Sequence, residues 1–363
     1  MKIGIVGLPL SGKTELFEAL TGARAGTAIH QPRNGRERHA VVKVPDERLE
    51  RLNKIFQPAK KTSAGVEYID FSGLDVSEDR RPGFSNRFLG TVRTADSLLV
   101  VLRGFKDERV PHPLKSIDSV RDLKAIDSEF LLSDLVLVES RMNRLEKQAK
   151  SLKNDRDIRE LKVLGKCKSF LEEEKPLRLL DLDREEAVLI RGFRFLTQKP
   201  LIIVVNIDED DIAREEEILK PFGVWMEQKD AVVLCLSAKI EKEIQQLSDE
   251  EAAQFLKDFG TVHPVRARLI AASYELMGLI SFFTVGSDEV KAWTIQADTP
   301  AVQAAGTVHS DIERGFIRAE VVGYDDFVSR GTLVQCKNEG VLRLEGKDYR
   351  VADGDIINYR FAI

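Results

Sequence analysis

Lys2-Ile3-Gly4-Ile5-Val6-Gly7-Leu8-Pro9-Leu10-Ser11-Gly12-Lys13-Thr14-Glu15-Leu16-Phe17 is the stretch on which the reading of this chain turns. Lys2 to Val6 is a short apolar run of strand length, and Leu16, Phe17 and Leu20 recur after it at helical spacing. Between them Gly7 to Thr14 fits G-x-x-x-x-G-K-[ST], in the strand, turn and helix context that the pattern requires. The glycines let backbone N–H groups curl around phosphate oxygens, and the helix N-terminus adds its partial positive charge. Lys13 is expected to reach the β- and γ-phosphates, Thr14 to ligate Mg2+, and Leu10, Ser11, Gly12 and Glu15 to complete the cradle.

Outward from that turn, apolar runs recur at Val66 to Phe71, Leu98 to Leu102, Leu201 to Val205 and Val232 to Leu236. Each is short enough for a strand and continuous enough to be covered on both faces, so the expected fold is α/β with a parallel, doubly wound sheet. Asp70-Phe71-Ser72-Gly73 ends the first of these runs. A D-x-x-G there lets Asp70 hold Mg2+ through water while the Gly73 amide senses the γ-phosphate; a plain turn is the alternative. The residue after the glycine, Leu74, is apolar and has no group with which to orient a water.

Asn206-Ile207-Asp208-Glu209 follows the Leu201 to Val205 run, where guanine-reading proteins carry N-K-x-D. Here Ile207 replaces the lysine and Glu209 the aspartate, so the carboxylate sits one methylene further out and guanine is not imposed. Whether Asp208 reads the base instead stays open at this stage. Ser237-Ala238-Lys239 follows the next strand, as a second base-contacting loop would.

The remainder sorts into two further parts. Leu131, Leu135, Val138, Met142, Leu145, Ala149 and Leu152 alternate by four and three, and after a polar turn a weaker stripe resumes at Ile158, Leu161, Leu164, Cys167 and Leu171. That predicts an antiparallel helical hairpin. Its residues 141–168 carry ten Lys or Arg against four Asp or Glu, a local +6 in a chain of net −5. A solvated helical face and an RNA-contacting arm both fit that charge, whereas the chain as a whole has no excess of positive charge for nucleic acid, and no DNA partner is expected. Beyond about residue 280, β-prone runs at Trp293 to Ile295, Phe316 to Val322, Val341 to Leu344, Tyr349 to Val351 and Ile356 to Phe361 predict a small β-rich domain. The division is therefore 1–129 and 198–279 for the nucleotide domain, 130–197 for the helical insertion and 280–363 for the last domain.

Composition narrows the class. With 43% hydrophobic and 32% charged residues the chain is neither disordered nor collagenous, and three scattered cysteines without a C-x-x-C pair give no zinc or disulfide framework. No run of about eighteen apolar residues exists to cross a membrane, and the cytoplasm is the expected compartment.

Taken together, these motifs, with Tyr274 to Thr284, His309-Ser310-Asp311 and Arg318-Ala319-Glu320, resemble the YchF or Obg-like ATPase family almost end to end. The resemblance implies a slow ATPase that also accepts GTP, a coiled-coil insertion, a C-terminal β-grasp TGS domain and association with ribosomes or RNA. A catalytic histidine in the loop after the third strand is also implied, and His112 in Val110-Pro111-His112-Pro113 matches it. The implied nucleotide set is Lys13, Gly73 and His112 for catalysis, with Asn206, Ile207, Glu209, Ser237, Ala238 and Lys239 at the base. This chain departs from the family at Leu10, where an asparagine is usual, and at Arg33 to His39, which lacks the threonine of the first switch. It departs again at Asp75 to Gly83, where the second switch is usually rich in glycine and lysine. A module that binds nucleotide without hydrolysis and a guanine-specific GTPase are the competing functions.

Overall fold

The structure is a computed structural model that describes residues 1–22, 37–71, 84–149, 154–258 and 264–362. Two compact units divide the chain, one of residues 1–42 with 67–266, the other of residues 43–66 with 267–363.

The first unit is built on six strands, β1 (Lys2–Val6), β2 (Arg38–Lys43), β4 (Gly65–Asp70), β5 (Ser97–Arg103), β6 (Leu201–Asn206) and β7 (Ala231–Leu236). Their order is β2-β4-β1-β5-β6-β7, and β4, β1, β5, β6 and β7 are parallel neighbours. Every residue of β5 and β6 is buried, which is why both read as unbroken apolar runs and not as alternating ones. β1 has β4 on one side and β5 on the other, so the turn after Val6 lies at the point where strand order reverses, the usual ligand position in an open α/β sheet. Register places Asp70 opposite Ile5, and Arg103 opposite Asn206.

The helical arm grows out of this core. Its first helix, Ser119–Ala149, has 31 residues, about 46 Å at 1.5 Å per residue. Leu123, Ile126 and Phe130 in its first turns pack with the sheet, while Val138 and Leu145 pack with Val163, Leu164, Cys167 and Leu171 of the returning helix Asp155–Glu172. Leu131, Leu135, Met142 and Leu161 are partly buried on the same seam. Ile158 is not part of it: its side chain is 51% exposed, because at the outer end of the hairpin the second helix turns it to solvent. Asn154 caps the returning helix by accepting from the Arg156 N–H.

Asp134 ties the base of the arm to the sheet. Fully buried, it accepts from Arg93 Nη1 at 2.6 Å, from the N–H groups of Leu196 and Thr197, and from Thr197 Oγ1. Four donors converge on one carboxylate, so its loss strands all of them.

The second unit carries a mixed sheet of β3 (Lys60–Thr62), β8 (Leu279–Val285), β9 (Glu289–Gln296), β10 (Phe316–Gly323), β11 (Arg343–Glu345) and β12 (Asp355–Phe361). The order is β11-β10-β12-β8-β9-β3. β8 and β9 form an antiparallel hairpin, β12 lies parallel to β8, and the helix Ala301–Val308 covers the sheet between them in sequence, which is a β-grasp arrangement. That helix turns Ala301, Ala304 and Ala305 to a core of Phe282, Ile295, Phe316, Val321 and Tyr359, the small side chains allowing close approach. Two features differ from the sequence reading. Tyr349 to Val351 forms no strand, contributing only a bridge between Arg350 and Pro300. Residues 43–66 and 267–279 belong to this unit, not to the nucleotide domain, and β3 pairs with β9.

Asp134→Ala should lower the unfolding free energy by about 3–5 kcal/mol in urea denaturation, because it leaves buried donors unpaired. Asp134→Asn, which keeps one acceptor, should lose less.

Candidate functional site

At the end of β1 the chain makes a turn that few residues tolerate. Gly12 has φ 92°, Leu10 has φ 64°, and a Cβ at position 12 would overlap the Asn206 side-chain amide. Gly12 then serves as the N-cap of the helix Lys13–Thr21 and, having no side chain, supplies no side-chain cap. Lys13 is buried, its Nζ donating to the carbonyls of Gly7 at 2.8 Å and Leu8 at 2.9 Å. The amine is thereby folded over the turn it serves.

Asn206 joins three strand ends. Its Nδ2 donates to the carbonyl of Ser11 at 3.3 Å, and its Oδ1 accepts from the N–H of Ala238 at 3.0 Å. Leu10, Gly12, Lys13, Thr14 and Glu15 thus meet Asn206, Ile207 and Glu209 and Ser237, Ala238 and Lys239 around one cleft of about 1540 Å³; Ser11, itself buried, backs it through that carbonyl.

The base-side carboxylates are both engaged. Glu209 Oε2 accepts from Lys239 Nζ at 3.1 Å, which holds the Lys239 ammonium above its ordinary pKa. Asp208 Oδ2 accepts from the backbone N–H of Lys106 at 2.8 Å. That bond gives Asp208 a structural task and accounts for an aspartate standing where the sequence left a second base reader open.

The opposite wall was not read from the sequence. Phe105, Lys106, Asp107, Glu108, Arg109 and Val110 all line the cleft, as do Lys242, Glu243 and Gln246. Four consecutive charged residues look like solvent-facing loop. The only sequence signal is Gly104, where a Cβ would lie 3.0 Å from Val205 and 3.2 Å from the Asn206 carbonyl.

Thr14 lines the cleft, and Asp70 is buried at the end of β4. A hydroxyl and a carboxylate are the hard oxygen donors Mg2+ takes, with water and phosphate oxygens filling the rest of its shell. Among the described residues there is no group of three or more His, Cys, Asp or Glu that could hold a metal ion. Asp70 also accepts from Arg38, from Nε at 3.0 Å and Nη2 at 2.5 Å, and the same guanidinium lies 4.9 Å over the ring of Phe17.

His112 is not brought to the cleft. Its ring is 5% exposed, Nε2 is bonded to Asp122 Oδ2 at 2.9 Å, and Nδ1 accepts from the Leu114 N–H at 3.1 Å. The acceptor role of Nδ1 leaves Nε2 as the donor to Asp122, so both nitrogens are taken within the loop. Gly73 and Leu74 lie outside the described residues.

Comparison with known proteins matches this geometry to one family. A model described as 50S ribosome-binding GTPase matches residues 2–138, and the YchF-GTPase_C model, described as a protein of unknown function (DUF933), matches residues 279–362. The chain is 38% identical to the ribosome-binding ATPase YchF of Bacillus subtilis over 362 residues, 99% of both chains. It is 39% identical to that of Haemophilus ducreyi, covering 100% of this chain and 99% of the other. The structure of the Schizosaccharomyces pombe YchF GTPase superposes with a TM-score of 0.89 at 31% identity, over 99% of this chain and 97% of that one. With phosphate turn, strand order, helical arm and C-terminal sheet all matched along its length, this chain belongs to the YchF family.

Proposed function

We propose that the chain is a P-loop ATPase that binds a purine nucleoside triphosphate with Mg2+, hydrolyses it slowly, and associates with ribosomes in the cytoplasm according to its nucleotide state. One observation carries the reading: both carboxylates at the base-reading motif already hold protein donors, Glu209 that of Lys239 and Asp208 that of Lys106. Neither is committed to the N1 and N2 hydrogens that set guanine apart. Phe105, Ile207 and Ala238 offer apolar surface that adenine suits as well as guanine.

Catalysis on this reading is electrostatic. Lys13 and the N–H groups of the turn supply positive charge where it develops on the transferring phosphoryl group, and bound Mg2+ adds charge neutralisation at the phosphate oxygens. Thr14 and Asp70 are the residues that would hold the ion, and the Gly73 amide is the proposed γ-phosphate sensor. Neither position singled out for organising the water supplies that group: residue 74 is an apolar leucine, and His112 has both nitrogens bonded elsewhere. Turnover is therefore slow until a partner or a rearranged loop supplies that group.

The ribosome assignment rests on the ribosome-binding ATPases to which the chain is similar and on the arm. Arg144, Lys147, Arg156, Arg159 and Lys162 are exposed on the two helices of the hairpin, a surface suited to phosphate contacts. The C-terminal β-grasp sheet is the second proposed contact with RNA. Among the described residues no helix is long and apolar enough to cross a membrane.

Lys13→Ala should lower single-turnover ATP hydrolysis by about 100-fold or more. Tight ATP binding by wild type with no Lys13-dependent turnover would instead make the chain a binding module. In competition on nucleotide-free protein, ATP and GTP should bind within about tenfold, roughly 1.4 kcal/mol, of one another. A GTP preference of about a hundredfold or more, roughly 2.7 kcal/mol, would make it a guanine-specific GTPase.

Arg144→Glu with Lys147→Glu should weaken co-sedimentation with ribosomes and flatten its salt dependence by roughly 0.7–0.9 in log–log slope for each phosphate contact removed. Unchanged binding would return the arm's charge to a solvated face.

A further inference from the structure

We propose that Arg103 is a positioning residue for the purine side of the cleft, fixing the wall loop 105–110 so that the Phe105 ring faces the base; this rests on the reading of the cleft as a nucleotide site. Arg103 is the last residue of β5, directly opposite Asn206 in β6, and only 3% exposed. Among the described residues its side chain pairs with no carboxylate. Instead Nε donates to the Phe105 carbonyl and Nη2 to the Asp107 carbonyl, each at 3.2 Å, while the guanidinium carbon stands 4.5 Å from the Phe105 ring centre. The remaining nitrogen, Nη1, is buried with no hydrogen-bond partner among the described residues.

A buried guanidinium with carbonyl partners and an unsatisfied nitrogen is a costly way to stabilise a fold. What it holds explains its presence. The wall loop is Phe105-Lys106-Asp107-Glu108-Arg109-Val110, whose charged middle buries little apolar surface, so burial alone does not position it. Hydrogen bonds do so: Gly104 N–H to the Asn206 carbonyl at 2.8 Å, Lys106 N–H to Asp208, and Arg103 to two carbonyls from beneath. Two of these three anchors belong to the base motif Asn206 to Glu209, and the third stands opposite it in register. By its hydrogen bonds the loop is therefore indexed to the base motif, while the Phe105 ring edge also lies near Gly12 of the phosphate turn, 3.7 Å from where a Cβ there would stand. Cation–π contact on the ring face turned to Arg103 leaves the other face for a ligand.

The test separates the two ends of the ligand. Calorimetry is run on the full chain with MgATP and with inorganic tripolyphosphate, which engages only the phosphate turn. Arg103→Met keeps the bulk and removes the donors. It should bind MgATP roughly tenfold or more weaker, the scale of lost hydrogen bonds to a charged group, with tripolyphosphate within about threefold of wild type. Arg103→Lys, which keeps a charge and one donor, should recover part of the ATP affinity. Phe105→Ala, at a half-buried position, should reproduce the ATP-specific loss even if the arginine variants do not fold. Equal losses for both ligands, or unchanged ATP affinity in Phe105→Ala or in a folded Arg103→Met, would overturn the proposal. Wild type that binds neither ligand would overturn the nucleotide reading itself.

Discussion

The side-chain amide of Asn206 is the interaction on which the site depends. It donates to Ser11 in the phosphate turn and accepts from Ala238 in the loop after β7, so three loops from separate strands acquire one register. That amide fits only because residue 12 has no Cβ, and the turn at Gly12 in its φ 92° conformation exists only because glycine occupies it without strain. The parallel pairing beneath supplies the distance. Arg103, Asn206 and Leu236 stand opposite one another on β5, β6 and β7, and the loops that leave them begin at the same level.

How much of this was legible in the sequence follows from how burial writes itself into a pattern. β5, β6 and β7 were readable to within a residue or two because both faces are covered and the apolar run has no gaps. β2, Arg38–Lys43, alternates buried and exposed along a charged hexapeptide, and β3 is Lys-Lys-Thr at the edge of its sheet; neither announces itself. The arm's seam was visible from its heptads, but a stripe of apolar residues does not say which of them face the partner helix, and Ile158 is exposed. In the site, Asn206 and the phosphate turn were legible because backbone geometry restricts their identity. The wall loop was not, since its carbonyls accept from the buried Arg103 side chain just before it, and the Lys106 N–H donates to Asp208, far away in sequence; neither bond leaves a pattern in the residues of the loop itself. His112 illustrates the converse, a residue picked out by type and position whose nitrogens the fold spends elsewhere.

The arm and the cleft share an anchor. The Arg103 carbonyl accepts from Ser119 Oγ, the first residue of the 31-residue helix, at 2.9 Å, and that helix runs from the sheet core into the hairpin without a break. A displacement of the wall loop at Arg103 thus has a continuous helix as its neighbour. Nucleotide dependence of the arm would need two arrangements of that junction with different affinities for the nucleotide, since a ligand shifts only states it distinguishes. The junction is the place in this unit where such a difference would be carried by one residue's main chain and side chain together.

Charge in the cleft sharpens what kind of triphosphate site this is. Among the described residues its lining holds five cationic side chains, Lys13, Lys106, Arg109, Lys239 and Lys242, against seven carboxylates, Glu15, Asp107, Glu108, Asp208, Glu209, Asp210 and Glu243. Much of this is internally paired, Arg109 with Asp107 and Lys239 with Glu209. Lys242 binds Glu18, whose carboxyl is held below its usual range by that lysine, and Glu18 in turn meets the guanidinium of Arg38 on Asp70. The described lining therefore supplies no general positive field to draw in a highly charged anion. Its affinity has to come from the oriented N–H groups of the turn and from Lys13, short-range donors that act only on a phosphate already seated. An excess of carboxylates among the described lining residues would oppose the free triphosphate more than its magnesium-neutralised form, so the oriented donors of one glycine turn would weigh more than net charge.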